Sequence, residues 1–230
     1  VALVVTGDEV RPVAAKLEAG QIRDANTTAL SSALNMLGME KVSVTRAADT
    51  PARVFEAIGA ALRSSDIVIT VGGISVGDRD YVRDALHSLR VKEHFWRIAM
   101  KPGKPNYFGT KGGKLVFGLP GNPVSALLSF HLLIRPAIAC VTGRNEPGPL
   151  VIHARLGEKL EKQSGRMEFV RVRVVNDGGV GFIALPVQGQ ESHMLSSLSS
   201  ATGIYRFPKN ATSVRKGRGI PVEMMDWSWS

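Results

Sequence analysis

The chain has 230 residues, 44% of them hydrophobic, which suffices for one large domain or for a medium one with a small companion. Mean hydropathy is close to zero and no apolar run approaches the roughly 20 residues that cross a bilayer, so a globular protein with no membrane partner is expected. Lysine and arginine number 29 against 20 acidic residues, a surplus of +9 that favours anionic partners. The cations are scattered and aromatics make up only 6%, which argues for small phosphorylated ligands and against nucleic acid, where stacking platforms are the rule.

In chain order, Val1–Val5 is a continuous apolar run, as in a parallel strand covered on both faces. Asn26–Leu37 has the helical spacing of Leu30, Leu34 and Leu37 and stops at Gly38. Val42–Thr45 is a short strand. Thr50 followed by Pro51 reads as a cap and a first helical position, opening a helix that runs to Leu62. Ile67–Val71 is a β-branched strand, and Asp80–Leu89 a helix with Tyr81, Ala85 and Leu89 on one side. His94–Met100 and Leu115–Phe117 read as strands, and Val124–Ile134 as a helix. This alternation predicts an open, mostly parallel α/β sheet with helices on both faces over residues 1–144.

The pattern changes at Asn145-Glu146-Pro147-Gly148-Pro149, a linker or tight corner. Val170, Val172 and Val174 then alternate with Arg171 and Arg173. Asn176-Asp177-Gly178-Gly179 signals a hairpin, with Gly181–Val187 as its return strand. Val214–Val222 and Glu223–Trp227 add further β, so residues 145–230 are expected to form a small, barrel-like all-β domain. Ser192–Ser200 is serine-rich, yet Met194, Leu195 and Leu198 are too apolar for a bare linker. The single cysteine, Cys140, excludes an internal disulfide and is expected to be buried as a small apolar residue; a cytoplasmic location fits.

Ligands of an open parallel sheet bind beyond the carboxyl ends of its strands. Three such ends carry suitable loops: Thr6-Gly7-Asp8-Glu9, the run from Gly72 to Asp80, and Gly118 to Pro123. Gly72 and Gly73 leave backbone N–H groups free to cup a phosphate, and Ser75 adds a hydroxyl. Asn122 can cap the following helix and Pro123 suits its first turn, so that helix start is a ready anion site. Lys101-Pro102-Gly103-Lys104-Pro105 puts two ammonium groups on a proline-stiffened loop nearby. Glu9, Asp49, Asp78 and Asp80 lie just beyond strand ends, and carboxylates beside phosphates suit Mg²⁺. Helix capping is the alternative reading of Asp80, Asp24 and Asn26, and a turn that of Asp49. Arg171 reads equally as a solvated strand residue. The five histidines show no zinc spacing, and of them only His193 falls in a plausible loop.

Taken together and in this order, Thr6-Gly7-Asp8-Glu9, Asp24-Ala25-Asn26, Gly72 to Tyr81, Lys101 to Pro105 and Gly118 to Pro123 resemble the molybdopterin molybdenumtransferase family, which includes bacterial MoeA and the E domain of gephyrin. The resemblance implies an enzyme of molybdenum cofactor synthesis. It would insert molybdate, its substrate, into adenylylated molybdopterin and release AMP, with Mg²⁺ assisting. By motif it implies Asp80, Asp49 and Glu9 as catalytic residues, with Asp80 and Asp49 on the metal. Lys101, Lys104, Pro105, Arg171 and Ser192 would hold molybdate. Thr6, Gly7, Asp24, Asn26, Gly72, Gly73, Ser75, Gly121 and Asn122 would hold the pterin and AMP phosphates. It further implies a homodimer, contact with the upstream adenylyltransferase, and N-terminal family regions outside this chain. Rival readings are the adenylyltransferase of the preceding step, against which the lysine loop and the β-domain argue, and a non-catalytic scaffold of the same fold. One position departs from the family: Arg97 stands where lysine is frequent, replacing a point-like ammonium with a planar fork.

Overall fold

Apolar runs too continuous for a half-exposed sheet become strands covered on both sides. The computed structural model describes residues 1–74, 80–144 and 148–225. From the N-terminus come β1 (Ala2–Thr6), the two-residue strands β2 (Val10–Arg11) and β3 (Ile22–Arg23), α1 (Ala25–Met36), β4 (Ser43–Ala47), α2 (Pro51–Ser64) and β5 (Ile67–Val71). Next are α3 (Tyr81–Ser88), β6 (Lys92–Trp96), β7 (Met100–Lys101), β8 (Tyr107–Lys111) and β9 (Lys114–Leu119). The main sheet has the order β4-β1-β5-β9-β8-β6, with the first four strands parallel and the last two pairings antiparallel.

Alternation along the strands splits the core in two. Leu3, Val5, Ile69, Val71, Phe117 and Leu119 face one layer of helices, whereas Ala2, Val4, Val68 and Val116 face the other. Leu30 and Leu34 of α1 cover the first face; Val54 and Ile58 of α2 and Val82 and Leu86 of α3 cover the second. Thr50 caps α2 with Pro51 at its first turn, as the sequence predicts. Gly38 follows α1 at φ +78°, a left-handed position that suits glycine.

Four features of this half differ from the sequence reading. His94–Met100 is not one strand: β6 ends at Trp96, and Arg97 turns the chain at φ +74°. Strand β8 carries no clear alternation and is formed by its hairpin with β9 through Gly112 and Gly113. The helix starting at Pro123 runs on to Val141, as α4 (Pro123–Ser129), a π-helical stretch Phe130–Ile134, and α5 (Arg135–Val141). By length and composition this helix could cross a membrane, but 67% of its apolar window is buried inside the protein, so it is a core helix. Cys140 lies on the outer face of α5, next to the buried Ile138 and Ala139, and is exposed rather than buried.

The second half contains β10 (Val151–Leu156), β11 (Leu160–Glu161), β12 (Met167–Asn176), β13 (Phe182–Pro186), α6 (Ser196–Ser200), β14 (Gly203–Phe207), β15 (Ser213–Val214) and β16 (Gly219–Met224). Strands β13-β10-β16-β14-β12 form a closed ring, because β12 also pairs with β13 across the expected hairpin. Val170, Val172, Phe207 and Val222 fill it. The short helix α6 had no counterpart in the sequence reading; its Leu198 inserts into the α1–α4 core. The seam between the halves is apolar, with Met100 and Leu128 against Phe169 and Ile204. It is also hydrogen-bonded: β7 leaves the first half to pair with β12, aligning Lys101 with Glu168.

Candidate active site

The carboxyl ends of β1, β5 and β9 open into one cleft of about 510 Å³. Its wall includes Thr6, Gly7 and Glu9 after β1, Asp24 and Asn26 at the start of α1, and Asp49 before α2. Gly72 and Gly73 after β5, and Gly121 and Asn122 after β9, complete it. Pro105 brings the lysine loop to the rim, and His193 reaches over from the second half. Eleven positions predicted from separate loops thus meet in one place: Thr6, Gly7, Glu9, Asp24, Asn26, Asp49, Gly72, Gly73, Pro105, Gly121 and Asn122. Gly72 and Gly73 are demanded by geometry. Both have positive φ, and a Cβ at either would stand within 3.0 Å of Thr6. Ser75 lies outside the described residues.

Within the wall the roles separate. Asp24 is 2% exposed, yet its carboxylate is fully occupied. It caps α1 by accepting from Thr27 N–H at 2.8 Å, takes the Thr27 hydroxyl, and pairs with Arg46 at 2.9 Å. Its role here is to build the α1 start. Asn26 donates to the Gly121 carbonyl at 2.7 Å, tying the first and third strand-end loops together. Asn122 stands at the N-cap of α4 without capping it. Its side chain donates to Ser192 Oγ at 2.7 Å, and the Ser192 carbonyl accepts from Val124 N–H at 3.1 Å. The helix start read as an anion site is therefore also the seat of a loop from the barrel.

Asp80 is not part of the cleft wall. It caps α3, accepting from Arg83 N–H at 3.4 Å, and its Oδ2 is buried without a hydrogen-bond partner. Burial pushes its pKa up to about 6, against the opposing pull of the Arg83 N–H. The pairing of Asp80 with Asp49 expected on the metal is thus not seen in the wall, because Asp80 is held at the α3 start; Glu9 and Asp49 share the cleft instead. Among the described residues no group of three or more His, Cys, Asp and Glu could hold a metal ion. Two carboxylates still fit Mg²⁺, which takes one or two of them together with phosphate oxygens.

The expected molybdate contacts are divided: Pro105 lines the cleft, Ser192 bonds to Asn122 of its wall, and Lys101 and Arg171 belong to the seam. Lys101 pairs with Glu168 at 2.9 Å, and Lys104 is exposed. Arg171 is 1% exposed, not the solvated strand residue its alternation allowed. It lies two residues beyond Phe169 on the strand face that meets the first half. Its Nη2 donates to the Gly189 carbonyl at 3.0 Å, while Nε and Nη1 have no hydrogen-bond partner. Burial lowers its pKa, with Glu191 and Glu168 opposing. Gln190 braces the same strand, donating to the Arg171 carbonyl at 2.9 Å. Arg171 thus holds the 189–191 loop that delivers Ser192 and His193. Val10, Ile22 and Arg23 also line the cleft and were missed, since two-residue strands leave no period to read. Arg97 stacks on Trp96 at 3.8 Å, opposite Arg83 at 4.0 Å.

Fold and cleft together define the class: an α/β ligand-binding domain, with its site at the carboxyl ends of parallel strands, joined to a closed β-barrel. The family described as "Probable molybdopterin binding domain" matches residues 2–139, and "MoeA C-terminal region (domain IV)" matches residues 153–225. The chain belongs to this molybdopterin-binding, MoeA-type family. It is 34% identical to a molybdopterin molybdenumtransferase of Haemophilus influenzae, over 97% of this chain and 55% of that protein. It is 36% identical to the molybdenum cofactor synthesis protein cinnamon of Drosophila melanogaster, over 98% of this chain and 38% of that one. The solved molybdopterin biosynthesis MoeA protein of Pyrococcus horikoshii superposes with a TM-score of 0.81 at 30% identity, covering 97% of this chain and 53% of its own. The chain spans about half the length of the bacterial relatives it matches, and less of the insect protein.

Proposed function

We propose that this chain carries the molybdate-insertion step of molybdenum cofactor synthesis. Adenylylated molybdopterin occupies the cleft and molybdate enters at the seam; the two dithiolene thiols bind molybdenum as one oxo group leaves as water with their protons, and water adds across the phosphate–phosphate bond to release AMP. The observation that carries the reading is the convergence of three strand-end loops, Glu9, Asp49, Pro105 of the lysine loop and His193 of the barrel on one cleft. A simple adenylyl-transfer site would need neither the lysine loop nor the barrel.

The geometry supports a division of labour among these residues. The Gly72 N–H is taken by the Leu119 carbonyl at 3.1 Å, so the approach to phosphate oxygens falls to the backbone at Gly73, and Asn26 fixes the Gly121 loop opposite. Glu9 and Asp49 would hold Mg²⁺, which when bound neutralises charge developing on the leaving phosphate. Arg171 offers two unpartnered guanidinium nitrogens at the seam, a planar fork suited to an oxyanion. Asp80, with its pKa near neutrality, is suited to move a proton. A homodimer, docking of the upstream adenylyltransferase and a cytoplasmic setting belong to the same proposal, as family expectations.

The test is to incubate the chain, in its full-length context, with adenylylated molybdopterin, Mg²⁺ and molybdate and to follow AMP. Release that depends on molybdate is expected. Adenylyl transfer from ATP to metal-free molybdopterin, with no response to molybdate, would overturn the proposal in favour of the preceding step. Ligand binding with no turnover in any mixture would favour the scaffold.

A further inference from the structure

The Lys101–Pro105 loop is anchored by groups that lie outside the cleft wall. At its middle Pro102 and Gly103 are buried, while Lys101 and Lys104 on either side are exposed. Asn106, 0% exposed, sits directly beneath. Its Nδ2 donates to the Gly103 carbonyl and contacts Met100 Sδ at 3.8 Å. Its backbone N–H donates to the Lys104 carbonyl at 3.1 Å, where Ile98 N–H also donates at 2.9 Å. Its own carbonyl accepts from Arg97 N–H at 2.8 Å. One residue thus closes the loop from both ends.

The other wall of this socket is Ser129 of α4, also 0% exposed. A Cβ on Gly103 would stand 3.2 Å from Ser129 Oγ and 3.3 Å from Asn106 Nδ2, at a φ of +98°. Only glycine allows this close approach. Asn106 Oδ1 and Ser129 Oγ are both buried without a hydrogen-bond partner. Such atoms cost stability, and an alanine at 129 would remove that cost. A socket optimised for stability alone would be apolar. A polar one fixes direction, because a hydrogen bond sets an orientation that packing leaves free.

We propose that Asn106 is the positioning residue of the cationic loop, setting the splay of Lys101 and Lys104 toward a tetrahedral oxyanion, with Ser129 as the wall that admits Gly103. The inference rests on the reading of this loop as a molybdate station. In Asn106→Leu the side chain keeps its approximate volume and loses its donor; Asn106→Asp keeps shape and loses the donor as a carboxylate. Molybdate is titrated calorimetrically into each protein, AMP is titrated separately to report on the cleft, and amide exchange is followed at Ile98 and Asn106. Both variants should weaken molybdate about tenfold or more and quicken exchange at those two amides by a like factor, with AMP binding unchanged. Ser129→Ala should leave the melting temperature equal or higher. Unchanged molybdate affinity and unchanged exchange in both Asn106 variants would overturn the proposal. If the unmutated chain binds no molybdate, the molybdate reading itself falls, and exchange alone then decides whether Asn106 fixes the loop.

Discussion

Two helices of the α/β half begin on an aspartate, and the two aspartates are in opposite states. At the start of α1, Asp24 is almost wholly buried and accepts from a backbone N–H, a hydroxyl and a guanidinium. At the start of α3, Asp80 is less buried, accepts one long hydrogen bond and leaves Oδ2 without a partner. Burial raises the Asp80 pKa to about 6. Burial by itself does not make a carboxylate reactive; burial without compensating donors does. One helix start is a structural joint, and the other has the character of a working group.

The comparison can be broken in several places. Asp80→Asn should lower AMP release by roughly 10²- to 10⁴-fold, the range for losing a proton-transfer group, with the fold intact by circular dichroism. Near-normal turnover would put Asp80 in the same class as Asp24. Asp24→Ala should cost about 1–2 kcal/mol in urea denaturation, because it removes the cap of α1, while Arg46, partly exposed, is left to water. Stability within experimental scatter would refute its role as a joint. Arg171→Ala should weaken molybdate about 10- to 100-fold, the worth of a charged hydrogen-bonding group, while AMP binding stays within a factor of two.

A subtler effect at Asp80 depends on pH. The Asp80 carboxyl is raised from 3.8 to about 6, chiefly by burial, so the folded chain holds that proton more tightly than the unfolded one. The stability this supplies is complete below pH 3.8 and is lost as pH rises through about 6. Asp80→Asn should remove that limb of the melting-temperature profile, raising stability relative to the parent above pH 6 but not at pH 4. An unchanged profile would show that Oδ2 is satisfied in solution. The smallest effect is expected at the barrel contact. Asn122→Ala should cost about 1 kcal/mol and speed amide exchange at Val124, since it removes the bond to Ser192.

Much of the α/β half was legible because its signals are local. Leu30, Leu34 and Leu37 announce α1, Thr50-Pro51 opens α2, and the β-branched run at Ile67–Val71 is β5. The hairpin at Asn176–Gly179 was legible for the same reason. Part of what failed was set by partners distant in sequence. Strand β7 depends on β12, 67 residues further along at the Lys101–Glu168 pairing, whereas β8, two residues from its hairpin partner β9, was missed because its own residues show no clear alternation. Cys140 was expected inside, but the helix face it occupies meets solvent.

The sequence alone determined the longer helices and the buried parallel strands, the glycine-rich loops at the strand ends and the family those loops resemble, because backbone freedom, capping and periodicity are properties of a few neighbouring residues. Tertiary structure decided which candidate does what. It filled Asp24 with donors, left an oxygen of Asp80 bare, drew Asn122 away from its cap to Ser192, and buried Arg171 at the seam with two nitrogens unpaired. Those outcomes depend on which polar groups are brought together when water is excluded, and no spacing along the chain encodes that.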